Sequence, residues 1–401
     1  MRAETSPEVA PDIDAKAAHR RAFLDWLACA SAGRGHPAAR AAEHAGVDLG
    51  DRVVAVGTAG HVLDFDDTYL PGLAHLSAPV APAALVLGAE VGATVGAVLD
   101  AYATGFEAMG ALARASHPAI YDRGFHATSV CGVVGAATAS SLVLGLDLDA
   151  TSMAVRLALL RAGGLRGAFG SHGKSLQVAM AASTGVSAAK LAGAGARVPP
   201  DLSTRPAGFE EAYAATWREP SGEGEAVAQN WIKAYPCCLQ THSAIEAAAE
   251  AREARARIDS GATITVHPLS RQAAAYDDVD DELQAKFSIP YTAAFSFLRR
   301  PPTIEDFDGV DRESAALARR ITVHTDASLL ESEARLETSE GFSTRVEAAL
   351  GSPARPMDDV RLEAKVRTLA GESLIGVLDD RDAPAASILE AAGLGCPVPE
   401  S

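Results

Sequence analysis

Twenty consecutive residues, Ala127 to Leu146 (ATSVCGVVGAATASSLVLGL), carry no charge. That length approaches what a membrane-spanning helix needs, about 20 residues. The Gly, Ser and Thr content makes the run only weakly hydrophobic, so it reads as a helix buried in a protein core. A helix without a polar face must be surrounded by other helices. The neighbouring sequence supplies them: DAKAAHRRAFLDWLACASAG, APVAPAALVLGAEVG, AVLDAYATGFEAMGALARAS, TSMAVRLALLRAG and LQVAMAASTGVSAAKLAGAG all show apolar residues at helical spacing, mostly separated by Gly or Pro. Aromatic residues are only 5% of the chain, so this core is packed with Ala, Val and Leu, which lets helices approach closely. AIEAAAEAREARARI, more charged, closes the helical region.

After about residue 258 the texture changes. ATITVHPL (262–269), RRITVHTD (319–326) and GFSTRVEAAL (341–350) are β-branched and alternating, and predict three strands. A helix follows Pro290 between the first two strands, and the segment from Met357 onward is helical again. The expected fold is mainly α: a large all-helical domain over 1–258, a smaller α/β domain over 259–357, and C-terminal helices over 358–401 returning to the first. No internal repeat or low-complexity linker is visible.

A net charge of −17 excludes nucleic acid as an expected partner and argues against an anionic membrane surface. The polar, acidic start MRAETSPEVAPDID has neither signal-peptide nor transit-peptide character. Cys29, Cys131, Cys237, Cys238 and Cys396 show no metal-ligand spacing, and their odd number fits a reduced, cytoplasmic protein. No metal and no cofactor are expected. The basic residues are nearly all Arg; Lys occurs only at 16, 174, 190, 233, 286 and 365, which singles those positions out.

Four polar islands interrupt the apolar background: HVLDFDDTYLPGLAHLS (61–77), YDRGFHATSVCG, FGSHGKSLQVAM and NWIKAYPCCLQTHSAIEAA. Each alone has a plain explanation as a solvated turn, a cap or a hydrogen-bonded core residue. GSHGKS is no phosphate loop, since the required earlier glycine is Ala168 and no strand precedes it. DFDD lacks the glycine and terminal Glu of a calcium loop.

In their order, together with KFSIPY (286–291), these islands resemble the successive signatures of the MmgE/PrpD family over about residues 15–370. That family includes 2-methylcitrate dehydratase, cis-aconitate decarboxylase and iminodisuccinate epimerase. The resemblance implies a helical domain with an α/β lid, a homodimer, and a small-molecule carboxylate substrate. It places Asp64 and Thr68 beside the substrate, with His75 after them. It carries His126 from the GFH signature, Lys174 and Lys233 as the pocket lysines, and Tyr291 as a donor from the lid. Departures stand at Tyr69, where many relatives have His, at Leu76 in place of the Pro of HPS, at Gln177, where many have His, and at Val56, where Asn is frequent. These departures touch substrate reading rather than the acid–base set.

The chemistry so implied is removal of a weakly acidic C–H proton beside a carboxylate, or protonation of the resulting carbanion. It needs a base, a proton donor, and cations to hold carboxylates and a developing enolate. In an acidic protein, His75, His126, Lys174 and Lys233 must reverse the field locally. The expected roles are His126 as leading proton-transfer group, Lys174 and Lys233 as anion binders or donors, Asp64 as the partner that orients and charges His75, Thr68 as a substrate contact, and Tyr291 as a donor. The first expectation is a cofactor-independent hydro-lyase of the 2-methylcitrate dehydratase type. The alternatives are a decarboxylase or epimerase on a non-citrate substrate and, further off, a catalytically silent ligand-binding relative.

Overall fold

The computed structural model describes residues 14–218, 224–258 and 260–395. Residues 1–13 of the N-terminal stretch considered above, and Cys396, lie outside the described residues.

The uncharged run is helix α5 (Ala127–Val143), and it sits at the centre of the chain's larger core. Around it pack α3 (Ser77–Glu90), α4 (Val95–Ser116), α6 (Leu148–Leu159) and α7 (Gly173–Gly193). Glycines set the spacing. A Cβ on Gly135 would lie 2.7 Å from the Gly105 carbonyl oxygen, and one on Gly185 would lie 2.5 Å from the Ala137 backbone nitrogen. Backbone-to-backbone contact of this kind is available only without side chains. Two of the hydroxyls that make α5 too polar for lipid bond back along the helix, Thr138 to the Val134 carbonyl at 2.9 Å and Ser141 to that of Ala137 at 2.8 Å. Among the described residues no helix is long and apolar enough to cross a membrane.

Helix α1 (Ala15–Gly33), capped by Asp14, lies against α2 (Leu49–His61), whose start carries a reciprocal Asp48–Asp51 capping box. Helix α10 (Asp359–Ala370) packs back on α1. Two short strands, β1 (Thr68–Tyr69) and β2 (Asn230–Trp231), pair antiparallel and bring the 230s to the end of α2.

A second core gathers residues between Cys237 and Val346. Its sheet has the order β4-β3-β5-β6, formed by β3 (Ala262–Val266), β4 (Ile321–Thr325), β5 (Ala334–Thr338) and β6 (Ser343–Val346). β3 and β4 are parallel, and the other pairs are antiparallel. Three of these strands match the sequence expectation, and β5 is an addition. Helix α8 (His242–Glu253) packs with α9 (Ile289–Leu298) and the sheet, so the boundary drawn at 258 falls inside this unit. The cause is the alanine and isoleucine face of α8, with Ala244, Ile245, Ala248 and Ala251 all buried against the second core.

Candidate active site

Between the two cores, a cleft is lined by Asp64, Thr68, His75, His126, Lys174 and Lys233, with Tyr121, Phe169, Cys238, Gln240 and Phe287. The structure thus brings together six of the seven residues singled out from sequence. The seventh, Tyr291, does not line it. Its hydroxyl accepts a 2.9 Å hydrogen bond from the Asp311 backbone N–H, within the second core. Pro290 opens α9 and turns the following residue inward against that core.

The turn carrying Asp64 ends α2. Asp64 has φ +53°, a left-handed conformation that a non-glycine residue adopts only under constraint. The constraint is visible. Three consecutive carbonyls each accept from a buried lysine: Leu63 from Lys286 at 2.9 Å, Asp64 from Lys233 at 2.8 Å, and Phe65 from Lys365 at 2.8 Å. Lys365 also binds the Lys233 carbonyl at 3.0 Å and the buried Asp25 carboxylate at 2.6 Å. Four of the chain's six lysines therefore converge on one turn, because Lys174 donates to Asp64 Oδ1.

Asp64 itself is held by cations. Lys174 is on one oxygen and Lys233 Nζ lies 3.3 Å from the other. Burial would raise its pKa, but the two lysines overcome that and hold it below the ordinary carboxylate range. Burial likewise disfavours a charged Lys233, and Asp64 with Asp66 more than offsets it. The cluster of one carboxylate and two ammoniums leaves a net positive charge facing the cleft.

Asp64 is a distant partner for His75, whose Nε2 lies 3.8 Å away. The nearer carboxylate is Asp66, with Oδ2 3.3 Å from His75 Nδ1, while Thr68 Oγ1 is 3.4 Å from the same nitrogen. The His75 backbone N–H donates to Thr128 Oγ1 at 3.1 Å, tying it to the first turn of α5. Asp66 also takes His61, whose Nδ1 is 3.0 Å from both its oxygens. A carboxylate accepts only from N–H, so both imidazoles carry their proton on Nδ1 and leave Nε2 bare. Burial pushes the His75 pKa down to about 3, Asp66 opposing and Lys174 assisting, so the ring is neutral. Asp66 is held well below the ordinary range, burial being overcome by the two histidines. The partner that orients His75 is therefore Asp66, two residues beyond the one expected from sequence.

His126 has the opposite arrangement. It stands at the N-terminus of α5, and its Nδ1 lies 2.8 Å from Gln177 Nε2, an amide donor from α7. Burial, then Lys174, His61 and His75, keep its pKa well below the ordinary value. Phe169 closes over it edge-on at 4.8 Å.

Asp67, the last carboxyl of DFDD, is fully buried and makes no hydrogen bond of good geometry. Burial and the neighbouring Asp66 raise its pKa to about 8, against Ser77 and Asn230. The reading of sequence gave no site role to Asp66, to Gln177 as a hydrogen-bond partner, or to Lys286 and Lys365, although the scarcity of Lys had marked the last two.

His61, Asp66 and His75 bring possible metal ligands within 4.8 Å of one another. Both Nδ1 atoms are already committed to the carboxylate, and Lys174 adds positive charge that opposes a dication. The trio fits a hydrogen-bonded relay better than a metal centre.

The MmgE/PrpD N-terminal domain matches residues 47–219, and the MmgE/PrpD C-terminal domain matches residues 235–390. The chain is 27% identical over 350 residues to cis-aconitate decarboxylase of Mus musculus, an alignment covering 79% of this chain and 71% of that one. It is 30% identical over 210 residues to cis-aconitate decarboxylase of Homo sapiens, covering 49% and 43%. With matched domains on both sides of the cleft, the chain belongs to the MmgE/PrpD family.

Proposed function

We propose that this protein is a lyase acting on a small polycarboxylate, by moving a proton at a carbon beside a carboxylate. The observation that carries the reading is the pair of neutral imidazoles in opposite settings at one cleft, His75 on a carboxylate and His126 on an amide N–H. His75, with Nε2 bare, is the base. Lys174 and Lys233 hold substrate carboxylates, and the charge that builds on an enolate oxygen faces them and His126. Thr68 contacts the substrate from the same side.

Loss of carbon dioxide is the net outcome favoured by the cis-aconitate decarboxylases that the chain resembles; there the C–C bond breaks, the electron pair stays on carbon, and that carbon takes a proton from a lysine ammonium of the cleft, with no proton lost to a base. Loss of water, the first expectation from sequence, is the second reading. What supports it is the pair of lysine ammoniums held at Asp64 in the cleft, either of which would supply the proton a departing hydroxyl takes.

The test is NMR in heavy water with citrate, 2-methylcitrate, cis-aconitate and iminodisuccinate-like acids. Deuterium entering at a carbon next to a carboxylate supports the reading, and the product in the tube separates decarboxylation from dehydration and epimerisation. An unchanged substrate spectrum across the panel rejects it.

A further inference from the structure

We propose that Gln177 is a positioning residue that locks His126 in the Nε2–H tautomer, making it a neutral hydrogen-bond donor to the substrate rather than a base. The inference deepens the reading of the site given above and rests on it for the word substrate.

The Leu165 backbone brackets the Gln177 side chain. The Leu165 N–H donates to Gln177 Oε1 at 2.8 Å, and the Leu165 carbonyl accepts from Gln177 Nε2 at 3.2 Å. Turning the amide over would set donor against donor and acceptor against acceptor, so its orientation is fixed. The nitrogen that faces His126 Nδ1 at 2.8 Å is therefore an NH₂. An NH₂ needs an acceptor, and Nδ1 accepts only through its lone pair. The ring proton is thus on Nε2.

The bracket is itself built in. The Gly164 carbonyl accepts from the His126 backbone N–H at 3.0 Å, and Ser129 Oγ donates to the Gln177 carbonyl at 3.0 Å. Gly164 has φ +120°, and a Cβ there would lie 2.6 Å from Ser129 Cβ and 3.3 Å from Gln177 Cδ. Only glycine allows the 164–165 backbone to close on the amide.

A second proton on His126 would have to go to Nδ1, against the Gln177 NH₂, beside Lys174 and at the N-terminus of α5, where helix dipole and cation both oppose it. Imidazolium is excluded on geometric grounds, and so is the tautomer that would leave Nε2 free to take a proton. What is left is N–H donation to an oxygen whose negative charge grows during reaction. An amide held at both ends cannot exchange its donor for an acceptor.

The experiment is ¹⁵N NMR of the full-length protein labelled at histidine, without substrate, His126 being assigned by its loss in His126→Gln. The expected spectrum has His126 Nδ1 in the unprotonated range and Nε2 in the protonated range, unchanged between about pH 6 and about pH 8. In Gln177→Glu, a carboxylate would demand a proton on Nδ1, so the two resonances should exchange character, and turnover should fall at least about tenfold. In Gln177→Leu the two tautomers should mix. A wild-type spectrum with Nδ1 protonated overturns the proposal, as does an unchanged tautomer in both variants. The wild-type spectrum suffices if a variant fails to fold. Because that spectrum needs no turnover, a correct tautomer with an unreactive substrate panel would sink the proposed reaction and leave the lock standing.

Discussion

Asp67 makes the sharpest quantitative test of the site's electrostatics. It is buried with no good hydrogen bond and a pKa raised from 3.8 to about 8. The folded protein thus keeps this carboxyl protonated where the unfolded chain ionises it. For a raised carboxyl the cost is absent below the unfolded pKa and grows as pH rises toward the folded one. Asn at this position has no proton to hold. The stability gained by Asp67→Asn, relative to wild type, should therefore climb by about 1.4 kcal/mol per pH unit, or about 2.7 kcal/mol between about pH 5.5 and about pH 7.5. A constant loss from imperfect amide contacts would shift the whole line without changing its slope. The assay is parallel chemical denaturation of the two proteins at four or five pH values, reading the difference in free energy. A flat or falling difference would mean that Asp67 is ionised in the folded protein and held by Ser77 and Asn230. The account of DFDD as two anions and one neutral acid would then be refuted.

Tyr291→Phe should keep turnover within about twofold while costing roughly 1 kcal/mol of stability, since its hydroxyl serves the Asp311 N–H rather than the cleft; steady-state rates and a thermal melt check both halves. Lys365→Met should destabilise by about 3–5 kcal/mol, because it strands the Asp25 carboxylate in the core. Adding Asp25→Asn should restore a large part of that loss, and a denaturation cycle over the four proteins measures it. Gly185→Ala should cost about 1–3 kcal/mol, since the new methyl meets backbone atoms of α5 that have nowhere to move. The acid limb of kcat/KM should lie below pH 5 rather than near 6.5, because free His75 becomes protonated only as pH falls toward about 3; a limb near 6.5 would mean that His75 is not the base.

Much of this was readable from residue patterns that report on neighbours close in sequence. The uncharged run between 127 and 146 was legible as a buried helix because its own composition decides the matter. His75, His126, Lys174 and Lys233 stood out against an apolar background, and the cleft holds all four. β5 was missed because Arg335 and Glu337 mask the buried alternation of Ala334, Leu336 and Thr338. The partner of His75 was misplaced from Asp66 to Asp64 because three carboxylates in four positions differ only in where the turn points them. That direction depends on the left-handed backbone at Asp64, which no propensity announces. Tyr291 followed from its signature, but the helix that carries it turns the hydroxyl away from the cleft.

The row of lysine-bound carbonyls at 63, 64 and 65 also bears on how the molecule comes to exist. Its three tethers reach across 223, 169 and 300 residues of chain. Contacts of such separation are paid for in loop entropy before they return anything. A nascent chain that has completed only the central helices therefore owns every side chain of the first polar island and none of its geometry. The turn at Asp64 is therefore fully tethered only when α10, which carries Lys365, has docked.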